Sequence, residues 1–135
     1  TAWQKLFSGL LQSTPTTDPH AGTPTIGTPN GANNVASVAF LSNSAKTDRA
    51  MRIRVTAGAG NIVAGTDIVS ITFASEWKDA LGTPVTPAII CSQGAYASAS
   101  SSTGFTIQLG TGIPTTQVQD FSIIVSGGGS GNSNS

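Results

Sequence analysis

The sequence predicts an all-β chain: an antiparallel β-sandwich or jelly roll, preceded by a short N-terminal amphipathic helix and an extended linker. Two observations predict it. Apolar and polar residues alternate in Arg52-Ile53-Arg54-Val55-Thr56-Ala57 and again in Val69-Ser70-Ile71-Thr72-Phe73, a period of two that gives each strand one face for a core and one for solvent. Runs of this kind recur along the chain, and turn-forming groups separate them: Gly58-Ala59-Gly60, Gly65-Thr66-Asp67, Gly82-Thr83-Pro84 and Gly110-Thr111-Gly112. Many short strands punctuated in this way argue for two packed sheets.

Residues 1–12 differ from the rest. Trp3, Leu6, Phe7, Leu10 and Leu11 recur with helical spacing, leaving Gln4, Lys5, Ser8 and Gln12 on the other side. A helix this short is marginal alone in water, so its stripe is expected to dock on the sandwich, on copies of the chain, or on another protein. Residues 13–34 hold Pro15, Pro19, Pro24 and Pro29 among Thr, Gly and Asn. Proline fixes φ and removes a donor, so this segment reads as an extended linker with an edge strand at Thr25-Ile26. Asn30-Gly31 signals a turn.

The sandwich is placed at residues 35–126. Ala36, Val38 and Phe40 give one inward face, Met51, Ile53 and Val55 the next, and Val69, Ile71 and Phe73 a third. Ala88 to Ser92 is apolar on both faces, as a central strand would be. Phe105, Ile107 and Leu109, then Phe121, Ile123 and Val125, close the set. Residues 127–135 (GGGSGNSNS) have nothing to bury and read as a flexible tail.

Composition narrows function. Charged residues are 9% of the chain, against about 25% in ordinary domains. Ser, Thr, Asn, Gln, Gly and Ala must then cover the surface, which suits close-packed assembly. Six basic and six acidic residues cancel, so no field steers the chain to nucleic acid or an anionic membrane. No run approaches the roughly 18 apolar residues of a membrane span. No secretory signal pattern opens the chain, and with no Asn-x-Ser/Thr site in the sequence synthesis in a bacterial cytoplasm is expected.

Few residues suggest chemistry. Cys91, the one cysteine, excludes an internal disulfide and reads as a small buried hydrophobe. A catalytic thiol would want a histidine, and His20 lies in the Pro/Thr/Gly-rich segment, where packing against a core strand is not expected. Glu76 and Asp79 flank Trp77; such a pair suggests glycoside hydrolysis, but its spacing suits a solvated rim better. Trp77 reads either as a sugar-stacking platform or as a plug at the end of the sandwich. Arg52 and Arg54 share one strand face, able to fork onto an acidic group or to meet Asp48, Asp67 or Asp120. Gly58-Ala59-Gly60 has no Lys-Ser/Thr after it and reads as a hairpin turn wanting positive φ. No cofactor, metal site or catalytic residue is expected.

Several segments, in their order, resemble a β-sandwich module of tailed-phage virion proteins. They are Pro24-Thr25-Ile26, Gly31-Ala32, Val35–Phe40, Arg52–Gly60, Gly65–Ala74, Thr83–Ile90, Ser102–Ile107 and Phe121–Val125. Such modules tip tail fibres and head fibres or form small capsid spikes and decoration proteins. The resemblance spans about residues 24–126 and lacks the long fibre shaft. It implies a non-enzymatic homo-oligomer, a trimer favoured, partnered by capsid or tail proteins and in some cases by a host surface glycan. Trp3, Leu6, Phe7, Leu10 and Leu11 would then serve assembly or docking. The alternative is a carbohydrate-binding adhesin with Trp77, Tyr96, Arg52 and Arg54 as ligand contacts.

Overall fold

A computed structural model describes residues 18–127. The amphipathic segment with Trp3, Leu6, Phe7, Leu10 and Leu11, and the tail beyond residue 127, lie outside the described residues. Eight strands form two antiparallel sheets of four. The first sheet runs in the order β1 (Thr25–Ile26), β4 (Asp67–Thr72), β7 (Gly104–Leu109), β6 (Ala95–Ser100). The second runs β2 (Val35–Phe40), β3 (Ala50–Ala57), β8 (Val118–Ser126), β5 (Ala88–Cys91). The all-β sandwich read from the sequence is the fold.

Alternation builds the core. Met51, Ile53 and Val55 turn inward from β3 while Arg52 and Arg54 turn out, and Phe121, Ile123 and Val125 do the same on β8. Ile71 on β4 and Phe105, Ile107 and Leu109 on β7 supply the facing layer. Each such side chain contributes about 1.5–3 kcal/mol on burial. Branched side chains suit the pleat because their χ1 is already restricted.

Four expectations need correction. The segment from residue 18 to 34 is more than a linker: it carries 3-10 turns at Pro19–Ala21 and Gly31–Asn33, and buries His20 and Pro24. Ala36 is exposed, because a bulge between Val35 and Ser37 shifts the register and sends Val35 inward in its place, alongside Val38 as expected. The Ala88–Cys91 strand sits at a sheet edge, not the centre, so its second apolar face points outward. Gly58-Ala59-Gly60 is no hairpin, since β3 and β4 belong to different sheets and neither glycine has positive φ. These glycines instead allow close approach: Gly58 N–H donates to the Asn34 carbonyl at 2.8 Å, and a Cβ on Gly60 would lie 2.8 Å from the Asn34 side chain.

Candidate functional site

Three places gather side chains with chemistry. The first is a knot at one end of the sandwich, where the strap from Asp18 to Gly22 crosses the start of β3. His20 and Asp48 are both 0% exposed, and His20 Nδ1 lies 3.0 Å from Asp48 Oδ2. Asp48 also accepts the Ala74 and Ser75 backbone N–H groups at 2.7 and 3.0 Å. The His20 ring stacks on Trp77, centroids 3.6 Å apart and planes 6° off parallel, and Phe73 meets Trp77 edge-on. Arg49 closes the knot: its Cζ lies 5.2 Å from the Trp77 ring centre. Its Nε and Nη2 donate to Asp18 at 2.7 and 3.1 Å. That fork holds the Asp18 carboxyl below its ordinary range.

A shielded Asp-His pair is two of the three members of a nucleophilic triad, but a triad needs a hydroxyl or thiol at the second ring nitrogen. His20 Nε2 has no hydrogen-bond partner, and Cys91 belongs to the far edge strand of the second sheet. What the knot does chemically is fasten the strap. It also decides between the two readings of Trp77: a ring 1% exposed and faced by an imidazole has no surface to offer a sugar. His20 overturns its own expectation, because stacking and the Asp48 bond provide for a polar ring inside the core. Glu76 and Asp79 do not work as a pair either. Glu76 accepts from Ser102 Oγ at 2.7 Å, whereas Asp79 Oδ1 ties its own turn through the Leu81 and Thr83 N–H groups.

The second place is the outer face of the first sheet. The register sets Tyr96 opposite Gln108 and Gln108 opposite Asp67. A chain of hydrogen bonds follows: Tyr96 Oη donates to Gln108 Oε1 at 2.9 Å, and Gln108 Nε2 donates to Asp67 Oδ1 at 2.7 Å. In the next row Ser70 and Thr106 share a hydroxyl bond of 2.9 Å. Beside them runs a groove of about 350 Å³ walled by Thr28, Pro29 and Asn30. Tyr96 is 43% exposed. This face is hydroxyl and amide with one carboxylate and one aromatic, the mixture that meets polar, hydroxylated ligands.

The third place is the outer face of the second sheet, where Arg52 and Arg54 project. Arg54 forks onto Asp120 across the β3–β8 pair, Nε to Oδ1 at 2.8 Å and Nη2 to Oδ2 at 3.1 Å. The bond holds Asp120 below its ordinary range. Arg52 has no ion pair among the described residues. One row on, Ala50 stands opposite Ile124 and Ile124 opposite Ile90, with Ile124 55% and Ile90 61% exposed. The reading of the sequence assigned no site role to Ile90, Ile124 and Gln108, and named Asp67 only as a partner for an arginine, whereas it bonds Gln108. The one available signal for the isoleucines was that an outward position on each of β5 and β8 is isoleucine where solvent favours polar residues.

No family model, no curated protein and no solved structure matches the chain. Among the described residues no group of three or more His, Cys, Asp or Glu gathers as a metal cluster. Of the residues singled out, Arg52 and Arg54 share one sheet face, Tyr96 lies on the other sheet, and Trp77 is sealed in the knot.

Proposed function

We propose that the protein is a non-enzymatic structural component of a tailed-phage virion, made in the host cytoplasm and displayed on the particle. It acts as a capsid decoration, head-fibre or tail-fibre accessory module, and it assembles with itself, as a trimer, and with capsid or tail proteins. The observation that carries the assembly reading is the uncovered isoleucine row on the second sheet, in a chain with 9% charged residues. Aliphatic side chains in register on an outer face lose little by meeting another protein surface and gain its burial. The ordered segments from Pro24 to Val125 support the virion reading by their resemblance to such modules.

The assembly reading is tested by light scattering of the full chain, alone and with Ile90→Ser and Ile124→Ser together. A mass of three chains that falls in the double variant supports it; a full chain that runs as a monomer at all concentrations overturns it. The second reading, a carbohydrate-binding adhesin, is favoured by the Tyr96-Gln108-Asp67 row. Titration with a panel of neutral oligosaccharides, read by amide shifts at Gln108 and compared with Tyr96→Ala, checks that reading.

A further inference from the structure

The isoleucine row is exposed, and residues 2–12 carry an apolar stripe long enough to cross it. We infer that the occupant of the row formed by Ala50, Ile124 and Ile90 is this protein's own residues 2–12. The inference rests on the assembly reading only for which copy supplies the segment.

Where the described chain begins is the first argument. Asp18 is gripped by Arg49 through two hydrogen bonds of 2.7 and 3.1 Å. The Arg49 carbonyl accepts the Val125 N–H at 2.9 Å, and Ala50, the next residue, opens the row opposite Ile124. The chain therefore arrives at the sandwich beside the β3–β8 pair, at the end of the sheet where the row lies.

Reach and size follow. Residues 13–17 span up to about 17 Å when extended, while three neighbouring strands are about 10 Å across. The helix that the spacing of residues 2–12 predicts would be about 16 Å long, enough to cross the row and run about 6 Å past it. A tether this short holds a cognate segment at an effective concentration in the millimolar range.

Chemistry is the third argument. Trp3, Leu6, Phe7, Leu10 and Leu11 are apolar, and Lys5 is the only charged residue among residues 2–12. The row offers Ile90, Ile124 and Ala50, with Ala88 exposed at the next outward place on β5. Arg52, whose guanidinium has no ion pair among the described residues, borders the row and would stay at the wet margin of the contact. Apolar area is buried on both sides and no charge is stranded.

The test places the photoreactive residue benzoyl-phenylalanine at position 7 of the full chain, in an equal mixture of nitrogen-14 and nitrogen-15 protein, and maps cross-links by mass spectrometry. Cross-links on the peptides that carry β5 and β8, reduced at least tenfold by Ile124→Asp while the urea midpoint stays unchanged, are the expected result. Cross-links on another surface, or cross-links indifferent to Ile124→Asp, overturn the inference. The isotope labels identify the donor copy, and light scattering reads assembly independently. A trimer cross-linked elsewhere defeats the inference and leaves the assembly reading standing. A monomer cross-linked within one chain upholds the inference and defeats the assembly reading.

Discussion

Removing the His20 imidazole would open a void against Trp77 and leave Asp48 Oδ2 with the Ser75 N–H as its one remaining donor. His20→Ala is therefore expected to lower stability by about 2–4 kcal/mol, the sum of a core truncation and a buried carboxylate losing a partner. His20→Phe, which keeps the stack but not the bond, should cost less, and urea unfolding with an unchanged slope would show it. Equal losses for both variants would mean that the stack contributes nothing. Asp18 adds a pH dependence. Its folded carboxyl ionises more readily than an ordinary aspartate because Arg49 bonds it, so its contribution is present above the ordinary value of 3.8 and drains away as pH falls below it. The pair is part-exposed and the effect small; the protection of the His20 amide, which donates to Asp18 Oδ1, should fall at acid pH relative to its intrinsic exchange rate, and Asp18→Asn should remove that response. Cys91 is half-buried and its thiol is pushed up to about 11 by desolvation. At pH 8 it should react with a disulfide reagent about a hundredfold more slowly than an ordinary cysteine, and unfolding in urea should restore the rate.

Strands differ in how plainly their residues announce them. β3 and β7 alternate apolar and polar residues cleanly, and their inward faces could be listed from the sequence; β4 also buries Ile68 beside Val69 through a bulge, and β8 turns Ile124 outward. β6 is Ala95-Tyr96-Ala97-Ser98-Ala99-Ser100, too small and polar to give a pattern; it forms because β7 offers it a partner, with a bulge between Ala97 and Ala99. β5 misled for the opposite reason, since apolar residues on both faces describe a central strand and an edge strand with a contact face equally well. Close approach between neighbours sets a further requirement on β7. A Cβ on Gly104 would lie 2.5 Å from the Ile71 carbonyl oxygen, so Gly104→Ala should cost about 1–3 kcal/mol by overpacking, read as a lower urea midpoint. No loss of stability would show that β4 and β7 can part by a few tenths of an ångström without penalty.

At the scale of the whole molecule the fold was legible and the surfaces were not. Periodicity reports which way a side chain points, and that is enough for two sheets and a core. Register reports which side chains stand together, and it is written in pairings far apart in sequence: Gln108 meets Tyr96 twelve residues back and Asp67 forty-one residues back. The knot escaped for a similar reason, because His20 and Asp48 are separated by 28 residues and nothing beside His20 names its partner. If the isoleucine row is the assembly face, Ile90→Ser with Ile124→Ser should dissociate the protein while leaving its thermal midpoint, measured on the dissociated form, nearly unmoved, since neither side chain packs into the sandwich core. A large drop would mean that the row supports the sandwich from outside.

β8 lies between β3 and β5. On the ribosome, the β2–β3 hairpin and β5 must wait, apart and with their inner faces wet, until Val118–Ser126 has left the exit tunnel. The second sheet then closes in a single event that joins residues as distant as Arg54 and Asp120, 66 positions apart. Such closure is slow, on the order of milliseconds to seconds, and it makes the final strand the step at which a nascent chain either commits to this fold or offers its open edges to a neighbour.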